Sequence, residues 1–99
     1  MRLSEDEAAV ITAALHHEFG EDAEVWLYGS RTDDRRRGGD IDLFVEAACS
    51  RPLAERRLRA LVEMKRALGE RKIDLLVHLR GEDWTPFQRL ARERGVRLG

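Results

Sequence analysis

The sequence predicts an α/β (α+β) domain, a small mixed sheet of three to four strands flanked by helices. Three observations carry this. Segments with helical and with strand periodicity take turns along the chain in the order α-β-(turn)-β-α-β-α. Gly or Pro punctuates most of the junctions between them. The chain has only 99 residues, a length at which folding buries about 60–65% of the surface. That suffices for one core, so residues 1–99 are read as a single domain.

The first element starts at Ser4. Ser4 and Glu7 have the S-x-x-E spacing of a capping box, and Glu5, Asp6 and Glu7 suit the positive end of a helix dipole. Ala8, Ile11, Ala14, Leu15 and Phe19 follow at helical spacing, and Gly20 is a natural stop, giving a helix over 4–19. Residues 24–28, Glu-Val-Trp-Leu-Tyr, have the β-branched and aromatic content of a strand. Gly29-Ser30 ends it, and the polar stretch 31–39 reads as a short helical turn and a loop. Residues 40–46 form a second strand, with Asp40, Asp42 and Phe44 on one face and Ile41, Leu43 and Val45 on the other. Pro52 then opens a helix whose apolar stripe is Leu53, Leu58, Leu61, Val62, Met64 and Leu68, closed by Gly69. A third strand covers 71–79, its apolar centre interrupted by Asp74. Thr85-Pro86-Phe87-Gln88 combines an N-cap, Pro at the first helical position and a capping-box Gln, predicting a last helix to about Arg94.

Composition excludes several classes of function. Eighteen basic and 19 acidic residues leave a net charge of −1. That argues against charge-driven disorder and against a broadly basic nucleic-acid-binding surface. No apolar run reaches the ~18 residues of a membrane span. The acidic N-terminus does not fit a signal peptide. One cysteine, Cys49, excludes an internal disulfide and a cysteine-rich metal site. The expectation is a soluble, cytoplasmic protein.

Three carboxylates stand where strands are expected to be apolar. Asp40 and Asp42 are two apart, so their side chains share a face. Asp74 lies on the next strand, opposite in parity to Ile73, Leu75 and Val77. If these strands pair, the three acids converge on one face of the sheet. Acids so placed repel one another, and a divalent cation removes the conflict; hard oxygen ligands suit Mg²⁺. The alternative is an ordinary polar sheet face in water. Ahead of the acids, the strand ending Leu27-Tyr28 runs into Gly29-Ser30. Gly lets a ligand approach the backbone closely, and the turn amides with the Ser30 hydroxyl can hold a phosphate. Gly-Ser alone is common and reads as a simple turn. Beside strand carboxylates it becomes a phosphate site next to a metal site, the minimum apparatus for nucleotidyl transfer.

Leu27–Ser30, nine intervening residues and Asp40-Ile-Asp42-Leu43 resemble the hG[GS]-x9–13-Dh[DE]h signature of the polymerase β-like nucleotidyltransferase superfamily. The full run from Gly29 to Leu43 is similar to the stand-alone minimal nucleotidyltransferases of bacteria and archaea. Lys72-Ile-Asp74-Leu-Leu-Val resembles their third-carboxylate strand, and the stretch Pro86–Val96 resembles their C-terminal part, so the likeness covers roughly 24–97. The resemblance implies the nucleotidyltransferase fold and a transferase. Gly29 and Ser30 would hold the β- and γ-phosphates of ATP or another nucleoside triphosphate. Asp40 and Asp42 would bind two Mg²⁺ ions. Asp74 would complete the second metal site and help deprotonate the acceptor hydroxyl. It further implies a partner that supplies the acceptor: a small helical protein of the HEPN or substrate-binding type, as in toxin–antitoxin pairs, or a second copy of the chain.

Other residues carry less. Arg31 follows Ser30 and is the best placed of the loop arginines to clamp a triphosphate or an acceptor; Arg35, Arg36 and Arg37 read rather as a solvated basic loop balanced by Asp33 and Asp34. Trp26 and Tyr28 are expected to pack on the sheet, and Trp84 before the last helix. His16 and His17 are adjacent on a helix and diverge, so they do not pair on a metal. His78 shares the parity of Asp74 and is expected to be a packed or exposed histidine. The expected activity is Mg²⁺-dependent transfer of a nucleoside monophosphate, AMP from ATP, to a hydroxyl on a partner protein with release of pyrophosphate. The competing expectations are a non-catalytic, antitoxin-like binding module and a transferase acting on RNA ends or a small molecule, the RNA acceptor being disfavoured by the near-neutral charge.

Overall fold

The computed structural model describes residues 3–28, 41–48, 52–69 and 71–99. Among the described residues, three helices and four strands follow one another as α1 (Glu5–Phe19), β1 (Glu24–Tyr28), β2 (Ile41–Ala47), α2 (Leu53–Leu68), β3 (Ile73–Leu79), α3 (Pro86–Arg94) and β4 (Val96–Arg97). The strands form one mixed sheet in the order β3-β2-β1-β4. β1 runs antiparallel to β2 and to β4, while β2 and β3 are parallel and joined through α2.

Local chemistry accounts for most element ends. α1 starts with the full capping box: the Glu7 N–H donates to Ser4 Oγ, and the Ser4 N–H donates to Glu7 Oε1 at 2.9 Å. That backbone hydrogen bond holds the Glu7 carboxyl below its usual value against partial desolvation, helped by Arg71, whose Nη1 lies 2.7 Å from Glu7 Oε2. α3 repeats the box with Thr85 and Gln88. α1 and α2 stop at Gly20 and Gly69, with φ of 101° and 87°, a region that costs other residues strain.

Alternation divides the sheet into two unlike faces. Val25 and Leu27, Ile41, Leu43, Val45 and Ala47, and Ile73 and Leu75 point to one side. There they meet Ile11, Ala14, Leu15 and Phe19 of α1 and Ala60 and Met64 of α2 in the main core. The other side carries Trp26, Tyr28, Asp42, Phe44, Glu46, Asp74 and His78, and α3 with the preceding loop covers part of it. Phe44 is fully buried there, its ring 5.8 Å from Trp84. Trp84 also stacks on buried His78 at 3.9 Å, and His78 Nε2 lies 3.0 Å from the Glu82 carbonyl oxygen. His78 is therefore a packed residue that ties the 80–85 loop to the sheet.

Two sequence expectations need correction. Leu58 and Val62 are not in the core: they are 61% and 41% exposed. α2 turns Leu53, Ala60, Leu61, Met64 and Leu68 toward the sheet and α1, and that contact is narrower than the apolar stripe. Secondly, β4 was not foreseen as an element. Two residues cannot show a strand period, and the β4 pairing is extended by backbone bonds that no side-chain pattern reports, such as the Leu98 N–H to the Val25 carbonyl at 2.7 Å. Gly95 makes the close approach possible. A Cβ there would stand 2.7 Å from the Ala91 carbonyl oxygen and 3.2 Å from Trp26 Cβ.

Among the described residues, no helix is long and apolar enough to cross a membrane.

Candidate active site

Parallel pairing sets Asp42 of β2 directly beside Asp74 of β3, one strand spacing of about 4.8 Å away. Antiparallel pairing sets Tyr28 of β1 opposite Asp42 on the other side. The row Tyr28-Asp42-Asp74 thus crosses three strands on the face away from the main core. Its alignment follows from the apolar residues on the reverse side, because Ile41 pairs with Ile73 and Leu43 with Leu75 in the same register.

These three residues and the α3 side chains Phe87, Leu90, Ala91 and Arg94 line a cleft of about 690 Å³, within the size range of small-molecule sites. The electrostatics of the cleft register on Tyr28. Burial pushes its phenol above the usual range, and the negative charges of Asp42 and Asp74 push it further. Both carboxylates therefore act on the same space. Two hard oxygen donors side by side in an acidic cleft fit a hydrated Mg²⁺ ion.

A cluster of aromatic and charged groups fixes the α3 wall. Glu24 of β1 and Glu46 of β2 are paired neighbours. The Arg92 guanidinium reaches both, 3.8 Å from Glu24 Oε1 and 3.7 Å from Glu46 Oε1. It also lies over the rings of Trp26 and Trp84, 5.5 and 5.7 Å from their centroids. Ala91 is buried, which lets the helix sit close to the sheet. Phe87 meets Tyr28 edge to face, with ring centroids 5.9 Å apart and planes at 81°.

Two of the sequence-predicted site residues, Asp42 and Asp74, are thereby brought together. Gly29, Ser30, Arg31 and Asp40 lie outside the described residues, as do Arg35, Arg36, Arg37 and Cys49. The α3 lining was missed from sequence. Its signal was Phe87, Leu90, Ala91 and Arg94 at i, i+3, i+4 and i+7, a helical face whose partner the sequence alone does not name. Tyr28, expected only as packing, forms part of the cleft.

A second group of polar ligands lies on the helical side of the sheet. His17 and Glu18 of α1 and Glu63 of α2 hold donor atoms within 4.8 Å of one another. His17 Nδ1 is 3.2 Å from Glu63 Oε1, a hydrogen bond that joins the two helices. His16 turns away and places Nε2 3.0 Å from the Ala23 carbonyl oxygen, so the two histidines do diverge.

The family model of the nucleotidyltransferase domain matches residues 11–96, nearly the whole chain. The chain belongs to the nucleotidyltransferase domain family. It is a nucleotidyltransferase domain of the polymerase β-like superfamily, and its three helices and four-stranded mixed sheet agree with the α+β fold expected of one. No curated protein matches the sequence. The acid pair of this nucleotidyltransferase domain stands at the second residue of β2 and of β3, Asp42 and Asp74.

Proposed function

We propose that the domain is a Mg²⁺-dependent nucleotidyltransferase that moves AMP from ATP to a hydroxyl of a partner protein and releases pyrophosphate. The observation that supports this most is the in-register Asp42–Asp74 pair facing a nucleotide-sized cleft in a member of this family. In this reading Asp40, Asp42 and Asp74 hold two Mg²⁺ ions. Gly29 and Ser30 bind the terminal phosphates, with Arg31 beside them. Asp74, exposed at the open side of the cleft, takes the proton of the attacking hydroxyl. When bound, the metal ions supply Lewis-acid stabilisation of the charge that develops on the transferring phosphate. The acceptor hydroxyl then displaces pyrophosphate in line: one O–P bond forms and one breaks.

A partner carrying the acceptor, of the small helical HEPN or substrate-binding type or a second copy of the chain, belongs to the same proposal. A second reading draws on Leu58 and Val62, large apolar residues exposed on α2. On that reading the domain is a binding module that controls its partner by contact, without chemistry. ATP labelled at the α-phosphate separates the two. Incubated with Mg²⁺ and the protein encoded beside this one, the label is expected to pass to that protein, and EDTA or Asp42→Asn is expected to end the transfer. Partner control that survives Asp42→Asn with no label incorporated would establish the binding module instead.

A further inference from the structure

Phe87 and Leu90 are 56% and 43% exposed, yet both line the cleft that contains Asp42 and Asp74. An exposed phenylalanine on a free surface needs no explanation, but one that forms the wall of a cleft beside two carboxylates does. Its orientation is set by the edge-to-face contact with Tyr28. The helix that presents it is anchored by Arg92 to Glu24 and Glu46. The wall is thus preorganised rather than an incidental apolar patch.

The position of the wall says which part of a substrate meets it. α3 packs on β1 and β2, and its apolar face stands on the Tyr28 side of Asp42. Asp74, on the far side of Asp42, is exposed. The cleft therefore has a half bounded by α3 that is apolar and aromatic at Tyr28, Phe87, Leu90 and Ala91, with the charged Arg94 at the end of that helix, and an open, acidic half bounded by β3. A nucleotide has the same division, a flat apolar ring system at one end and a charged polyphosphate chain at the other.

We infer that the Phe87–Leu90 face of α3, with Tyr28, is the subsite for the base of the donor nucleotide, which stacks against Phe87. The inference rests on the nucleotidyltransferase reading above and adds the subsite and its ligand, a nucleobase. The acceptor then enters by the open side at Asp74. Stacking of this kind is sequence-tolerant because every base has a π-face, so the wall selects for a nucleotide over a bare polyphosphate without choosing among bases.

Calorimetric titration of the full chain in Mg²⁺ tests this with two ligands, ATP and inorganic tripolyphosphate. Phe87→Ala is expected to weaken ATP binding by about 5- to 150-fold, the range for loss of one aromatic–base stack. Tripolyphosphate binding is expected to be unchanged, and Phe87→Trp is expected to restore ATP binding. Because Phe87 is more than half exposed, the thermal melt of each variant should match that of the parent. Equal affinity of Phe87→Ala and the parent for ATP overturns the assignment. So does an equal loss for both ligands. If the unaltered chain binds neither ATP nor tripolyphosphate and transfers no label, the transferase reading itself fails. If it binds and transfers while Phe87→Ala is silent, only the base subsite falls.

Discussion

Replacing Asp74 by Asn is expected to make the metal-free protein more stable and less active. Asp42 and Asp74 are in register on adjacent strands whose backbones lie about 5 Å apart. Two like charges at that distance repel by about 0.8 kcal/mol in water. Asp74 is exposed, which keeps the interaction near the aqueous limit, and physiological salt removes roughly half of it. The relief is thus about 0.4–0.8 kcal/mol, or about 2–5 °C in the melting temperature of a domain this size. Divalent cation acts in the opposite sense. At ten times its dissociation constant a bound ion adds about 1.4 kcal/mol to the native protein, and the Asn variant, with one charged ligand fewer, should gain much less. Circular-dichroism melts in EDTA and in a Mg²⁺ series measure both quantities. An Asn variant that melts below the parent in EDTA, or that keeps the full Mg²⁺ increment, would show that the pair is not a strained cation site.

Tyr28 is the sole tyrosine, so the ultraviolet titration of tyrosinate reports on the cleft alone. Its pKa is raised by burial first and then by Asp42 and Asp74, and Asp74→Asn is expected to move it back toward the ordinary value. The sign for stability follows from the raised folded value. The contribution is intact below the usual tyrosine range and is lost as pH rises through the folded pKa, so Tyr28→Phe should flatten the alkaline end of the stability profile. In the interior, Leu43 is fully buried, and Leu43→Ala should cost about 2–5 kcal/mol by denaturant titration. Leu58→Ser, at a site 61% exposed, should stay within about 0.5 kcal/mol. A large loss from Leu58→Ser would mean that α2 is covered after all.

The sequence was most readable where one local rule decides the outcome. Ser4 with Glu7 and Thr85 with Gln88 marked two helix starts because the capping box is a contact between near neighbours. The face shared by Asp42 and Phe44 followed from the two-residue strand period. Asp42 and Asp74 could be set on one face only by assuming that their strands pair, since parity gives the side and pairing gives the distance. What stayed hidden depends on a third body. Helical periodicity gathered Leu58 and Val62 with Met64, but the width of stripe that α1 and the sheet can cover is a tertiary quantity. The i, i+3, i+4, i+7 face of α3 was visible in the letters, while its destination beside Asp42 needed the docking contacts of Arg92. Gly29, Ser30, Arg31 and Asp40 rest on the sequence resemblance.

The parallel union of β2 and β3 also bears on when the site exists. No tight turn joins these strands; the whole of α2 must be laid down between them before residue 42 can meet residue 74. Contacts so distant along the chain form late, after the long loop has been closed. A nascent or partly unfolded molecule therefore carries the two aspartates apart, with no shared pull on a cation, and chemistry of this kind awaits completion of the fold.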